Sequence, residues 1–120
     1  MGTRVERDSM GELNVPSDAL YAAQTQRAVE NFPVSGRGMP ESFIRALLTA
    51  KAAAATANVK LEQIPKDVGI AICKAVEQML SCDNFMSHFP VDVFQTGSGT
   101  SSNMNVNEVL GTVASSILGQ

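Results

Sequence analysis

The densest set of groups able to do chemistry lies between Gln95 and Glu108, QTGSGTSSNMNVNE. Thr96, Ser98, Thr100, Ser101 and Ser102 place five hydroxyls within seven positions, and Gly97 and Gly99 open backbone conformations closed to other residues. No charged side chain falls between Gln95 and Asn107. The run stands immediately before an apolar helical pattern, whose first N–H groups and positive dipole end favour an anion. In outline this is an anion cradle. An ordinary loop with a helix N-cap has the same composition, and Asn105 with Glu108 three residues on fits a capping box, so both readings stay open at this level. A nucleotide-binding GxxxxGK[ST] loop needs a Lys, and no Lys or Arg follows Lys74. A small carboxylate held by hydroxyls and N–H groups therefore fits better than a transferred phosphate.

Other chemistry-bearing residues are few. Cys73, Cys82 and the single histidine, His88, cannot supply the close-spaced N/S ligands of a zinc site, so neither a metal nor another cofactor is expected. Cys73 falls on the apolar stripe of a helix and reads as a buried reduced thiol. His88, just before Phe89-Pro90, reads as structural or surface, not catalytic.

The elements that must position these residues are cut out by prolines at 16, 33, 40, 65 and 90. Arg4 to Val15 alternates on either side of Ser9-Met10-Gly11, as an extended arm or small hairpin does. Ser17 or Asp18 can cap a helix running through Leu20, Tyr21, Ala28 and Phe32, which Pro33 stops. A long helix starts at Pro40, with Phe43, Leu47, Ala50, Ala54, Ala57 and Leu61 on one face and the small block Ala52 to Ala55 on the others, and it is expected to be central. Another follows Ile64-Pro65, carrying Val68, Ile72, Ala75, Val76 and Met79. Ser81 to Asp92 is irregular. A last helix, roughly Asn103 to Leu118, ends at Gly119. The expected fold class is mainly α, with a short extended or hairpin arm at the N-terminus.

The chain has 120 residues, a net charge of −3 and 44% apolar side chains, enough for one domain with a buried core. The absence of a basic cluster argues against nucleic acid or an anionic membrane surface as a partner. Arg45, Lys51 and Lys60 interrupt the apolar stretches, so no membrane span is expected. Met1-Gly2 begins like a myristoylation site, but Glu6 stands where Ser or Thr is required. Together these predict a cytoplasmic chain. The charged fraction, 18%, is below the roughly 25% of soluble domains. Within residues 91–120 only Asp92 and Glu108 are charged, which suggests surface meant to face substrate or other protein.

Four stretches make a resemblance specific: Asp8-Ser9-Met10-Gly11-Glu12; Val15-Pro16; Ala23-Gln24-Thr25-Gln26-Arg27 with Glu30-Asn31-Phe32; and above all Phe89 through Val109. With these the chain resembles the N-terminal part of the class II fumarases, in the fumarase/aspartase superfamily. The resemblance covers essentially the whole chain and implies the orthogonal helical N-terminal domain of that fold over residues 1–120. It further implies fumarate and malate as ligands, a role in the tricarboxylic acid cycle, and a homotetramer. Ser98, Gly99 and Thr100 match the motif that binds a substrate carboxylate in that family. Asn103 and Asn107 match the same motif and are expected to order the loop or its neighbours. No catalytic residue is expected in this stretch: the family's general-base histidine and the mobile loop next to its GSSxMPxKxN motif come from later sequence. His88 matches no catalytic histidine, and Ala22 stands where many fumarases have Gly. The resemblance thus implies a fragment of a longer chain, inactive by itself. Ile64-Pro65-Lys66 and Phe89 through Val93 also suit an aspartase, although aspartases tend to show His-Thr-Leu-Arg and Gly-Gly-Ala-Gly-Thr where this chain has Gln24 through Arg27 and Thr96 through Thr100. A helical binding or assembly module without chemistry is the third reading.

Overall fold

The alternating residues at the N-terminus form a hairpin. In the computed structural model, which describes residues 2–120, β1 (Thr3–Asp8) pairs antiparallel with β2 (Gly11–Pro16), in register from Thr3 opposite Pro16 to Asp8 opposite Gly11. Met1, and with it part of the lipidation motif, lies outside the described residues. One face of the hairpin turns inward: Val15 is fully buried and Leu13 packs on the core.

Arg4 ties this hairpin to the segment after β2. Its guanidinium donates to the carbonyls of Pro16 (2.8 Å), Ala19 (2.8 Å) and Tyr21 (2.7 Å). Those carbonyls are thereby drawn away from helical pairing, which is why the first helix does not start at Ser17 or Asp18 as the sequence suggests. α1 is shorter, Ala23–Asn31, and Leu20 and Tyr21 precede it. Nor does a neighbouring side chain cap it. The cap comes from Glu108, whose carboxylate accepts from the N–H groups of Ala22 (3.2 Å), Gln24 (3.0 Å) and Thr25 (2.8 Å) and from the Thr25 hydroxyl (2.6 Å). Negative charge at a helix N-terminus meets both its free donors and its dipole. Glu108 therefore caps a different helix, not the one it sits on, and the capping-box reading of Asn105 and Glu108 is corrected accordingly.

α2 (Glu41–Lys60) follows Pro40, and α3 (Lys66–Leu80) follows Pro65. The core-facing residues of α2 are Ile44, Leu48 and Ala55, not the stripe from Phe43 to Leu61; Phe43 and Leu61 are exposed. In a helix this rich in alanine nearly every face carries an apolar series, so periodicity does not decide orientation. α3 behaves as its pattern predicts, burying Ala75, Val76 and Met79, with Ile72 partly buried. It meets α2 closely at Gly69, where a methyl group would run into the Val59 side chain. Gly69→Ala should accordingly destabilise the chain by about 1 kcal/mol, the overpacking outweighing the gain in helix propensity. Adding Val59→Ala should reverse the sign of the Gly69 effect. Denaturant midpoints of the four chains check this, and a stabilising Gly69→Ala in the wild-type background would contradict it.

A single 3₁₀ turn (Phe85–His88) lies in the irregular stretch, and α4 (Thr100–Ile117) completes the fold. α4, not α2, is the central element, packing against α1, α2 and α3 and burying Val106, Val109, Leu110, Val113 and Ala114. With Ile44, Leu48, Ala71, Met79, Phe85 and Phe89 these side chains form one core. The architecture is mainly α with a two-stranded antiparallel arm. No helix among the described residues is long and apolar enough to cross a membrane.

Candidate anion site

α4 begins three residues earlier than its apolar pattern. Gly99 is its N-cap in a left-handed conformation (φ +75°), which Gly adopts without the Cβ clash that penalises other residues. The Asn103 N–H donates to the Gly99 carbonyl (3.2 Å) and closes the first turn. Gln95 supplies the cap: its Oε1 accepts from the Ser102 N–H (2.9 Å) and hydroxyl (3.1 Å), while its Nε2 donates to the Asp92 carbonyl (2.9 Å). The N–H groups of Thr100 and Ser101 are left without an acceptor among the described residues.

Two hydroxyls stand beside these free donors. Ser98 Oγ and Thr100 Oγ1 lie 2.8 Å apart, both on exposed residues. One hydroxyl donates to the other, so the acceptor of that pair retains a free O–H. The three predicted ligand-binding residues thus share one loop tip with two N–H groups that have no acceptor among the described residues. Asn103 lies on the first turn of α4, and its Oδ1 accepts from Lys51 Nζ (2.6 Å). Asn107, a turn further on, is exposed and its side chain has no hydrogen-bond partner among the described residues.

The loop is held from below by Asp92, which is buried and accepts from the N–H groups of Phe94 (2.8 Å), Ser35 (2.8 Å) and Gly36 (2.9 Å) and from the Ser35 hydroxyl. The Phe94 N–H and the Ser35 and Gly36 donors hold its carboxyl at about 2, below the ordinary 3.8. Backbone pairing from Val93 N–H to the Arg37 carbonyl (2.9 Å) reinforces the contact. Both charges in residues 91–120 are therefore used internally, Asp92 on the 35–36 loop and Glu108 on α1. The segment presents no free charge of its own to solvent.

His88 is buried. Its carbonyl accepts from Asn105 Nδ2 (2.9 Å), its Nδ1 has no partner among the described residues, and burial pushes its imidazole below the ordinary 6.5. Burial removes the surface alternative of its sequence reading. Cys73 is only half-buried, with Sγ 3.6 Å from the Thr56 hydroxyl, and both thiols are free.

These lowered values set a pH profile. A folded-state value below the unfolded one means the unfolded chain binds protons first, so stability is full above the unfolded value and falls as the pH drops through the interval. Thermal stability should begin to fall below about 6.5 through His88 and again below about 3.8 through Asp92 and through Asp8, whose carboxyl the Arg27 guanidinium holds low. Melting temperature against pH for wild type and His88→Leu checks the first window: the variant should be flat there, and an undiminished slope would contradict the assignment.

Composition marks the glycines and hydroxyls from Thr96 to Ser102 and the family resemblance singles out Ser98, Gly99 and Thr100, but neither points to the cap from Gln95, the anchoring by Asp92, the contact from Lys51 or the role of Glu108. Asp8, Gln24 and Arg27 enter the sequence reading only as parts of matched stretches, and Glu108 is read there as a capping-box residue of its own helix. The structure joins those stretches. Asp8 accepts from Arg27 Nε (2.7 Å) and Nη2 (2.9 Å) and from Gln24 Nε2 (2.7 Å), and Glu108 holds the start of the same helix.

Comparison with known proteins agrees with this architecture. A family model described as "Lyase" matches residues 11–120. Fumarate hydratase class II 2 of Pseudomonas aeruginosa is 68% identical over 117 residues, which are 98% of this chain and 25% of that protein. Fumarate hydratase class II of Xylella fastidiosa (strain Temecula1) is 56% identical over 111 residues, 92% of this chain and 23% of that protein. Among solved structures, recombinant class II fumarase from Schistosoma mansoni superposes with a TM-score of 0.92 at 41% identity, over 98% of this chain and 25% of that one. The fumarate lyase:delta crystallin structure from Brucella melitensis in native form gives 0.88 at 48% identity, over 98% and 28%. The chain thus spans about a quarter of the length of the curated relatives it matches.

Proposed function

The chain belongs to the lyase family whose model covers residues 11–120, and from that membership we propose that it is the N-terminal domain of a class II fumarate hydratase, contributing the wall that binds one substrate carboxylate. The observation that carries this is the loop tip itself. Two N–H groups without an acceptor among the described residues, Thr100 and Ser101, stand at the positive end of an 18-residue helix beside the paired hydroxyls of Ser98 and Thr100. Such donors bind a carboxylate without adding a titrating group, so protonation is left to residues elsewhere. Fumarate takes a proton at one alkene carbon and hydroxide at the other to give (S)-malate. In the reverse direction a base removes a proton from C3 and charge accumulates on the adjoining carboxylate, where fixed donors stabilise it.

Within this reading Asn103 orders the first turn of α4, and Asn107 orders whatever packs on the next turn in the assembled enzyme. The parent acts as a cytoplasmic homotetramer in the tricarboxylic acid cycle. Among the described residues His88 is buried and Asp92 and Glu108 are engaged in internal hydrogen bonds, which supports reading the 120-residue domain as inactive alone.

The test is an assay of the full-length chain for malate formation from fumarate and, in parallel, for ammonia release from aspartate. Malate formation without ammonia release is expected, with no hydration by the 120-residue chain above a matched blank. Ammonia release from aspartate in its place would assign the domain to an aspartase, and hydration by the short chain would overturn its inactivity.

A further inference from the structure

Four cations among the described residues are partly buried: Arg4, Arg27, Arg45 and Lys51. The first three each hold a carboxylate, from Glu6, Asp8 and Glu41 respectively. Lys51 does not. Its ammonium donates to a neutral amide oxygen, Asn103 Oδ1, at 2.6 Å. A half-buried ammonium has lost part of its hydration, and an amide dipole returns less than a carboxylate does. No carboxylate among the described residues forms a salt bridge with it.

Its position gives that charge a use. Asn103 closes the first turn of α4 through its N–H to the Gly99 carbonyl (3.2 Å). The candidate carboxylate site at Ser98, Gly99 and Thr100 therefore lies about one helical turn, about 5 Å along the axis, from the residue Lys51 holds. Because an ammonium only donates, it also orients the Asn103 amide, with oxygen towards Lys51 and Nδ2 left as a donor with no acceptor among the described residues. Gln95 to Asn107 carries no charge, and the flanking Asp92 and Glu108 are engaged elsewhere, so no carboxylate on this segment competes for the field.

We propose that Lys51 is a positioning residue for the dicarboxylate site: it orients Asn103 on the first turn of α4 and adds a formal positive charge to a loop that has only helix-end donors of its own. This rests on the carboxylate-binding reading of Ser98–Thr100. Lys51 acts on dianion binding, through Asn103 and at a distance, and takes no part in proton transfer.

The experiment compares wild type, Lys51→Met and Lys51→Arg in the full-length enzyme, measuring KM and kcat for fumarate over a series of salt concentrations together with melting temperature. Lys51→Met should raise KM about five- to tenfold at low salt and leave kcat within about twofold, as expected for loss of one nearby charge. The rise in KM with salt seen for wild type should be shallower in Lys51→Met, and Lys51→Arg should restore most of both effects. An active wild type whose Lys51→Met variant keeps the same KM and salt slope would remove this role while leaving the carboxylate reading intact. So would a Lys51→Arg variant as impaired as Lys51→Met with a matching loss of melting temperature, since that pattern is purely structural. A wild type that neither binds nor hydrates fumarate would remove both.

Discussion

Glu108→Ala is expected to lower the free energy of unfolding by about 3 kcal/mol, a large effect for the exchange of one charged residue. The carboxylate accepts four hydrogen bonds from the first turn of α1, at 2.6 to 3.2 Å, and its loss leaves three N–H groups and the buried Thr25 hydroxyl unpaired. An ordinary N-cap is worth about 0.5–2 kcal/mol and a hydrogen bond to a charged group about 1.5–3 kcal/mol, but water can reach a half-buried site and the bonds do not add in full. In a domain of this size the loss corresponds to about 10–15 °C in melting temperature. Glu108→Gln, which keeps an acceptor but not the charge, should fall between. Glu12→Ala, which breaks only the exposed pair with Arg7, should change stability by less than about 0.5 kcal/mol. Thermal melts of the three variants decide the matter. A Glu108→Ala chain melting within a degree or two of wild type would mean that the Glu108 bonds contribute nothing net.

If the proposed carboxylate role holds, Thr100→Val made in a full-length fumarate hydratase carrying this domain is expected to cut kcat/KM for fumarate roughly 10- to 150-fold, equivalent to about 1.5–3 kcal/mol of transition-state stabilisation. Valine keeps the shape of threonine and removes the hydroxyl, and Thr100 is exposed at the surface of this domain, so folding should be nearly unaffected. The loss should be shared with Ser98, whose Oγ is 2.8 Å from Thr100 Oγ1: the double exchange Ser98→Ala with Thr100→Val should cost less than the sum of the single ones. Steady-state kinetics of the three variants provide the check, and an unchanged kcat/KM for Thr100→Val would exclude Thr100 from the site.

The distance between partners explains which features are legible in the sequence. The hairpin is, because strict alternation around Ser9-Met10-Gly11 leaves one face for the core. α3 is, because Ile72, Val76 and Met79 are large enough to define a stripe. α2 is located but misoriented, since its alanines make an apolar series on almost any face and only Ile44 and Leu48 are decisive. The start of α1 is hidden: Arg4 withdraws carbonyls 12 to 17 residues away, and Glu108 caps from 83 to 86 residues away. The same holds at the candidate site. Gly99 and the hydroxyls announce themselves by local composition, whereas Lys51 reaches Asn103 across 52 positions and Asp92 holds Ser35 across 57. The low charge of residues 91–120 also changes meaning, because its two carboxylates are internal fasteners and the exposed remainder is uncharged, with hydroxyl and amide side chains beside the exposed Phe94.

The claim that these donors bind a substrate carboxylate is tested most directly by titrating fumarate into the isotope-labelled 120-residue chain and following its backbone amides by NMR. The Thr100 and Ser101 amides should shift first and furthest, saturating towards millimolar fumarate. The dimethyl ester of fumarate, which carries no carboxylate, should leave them in place. Fumarate-induced shifts confined to other regions, or Thr100 and Ser101 amides that do not move, would contradict carboxylate binding at this loop.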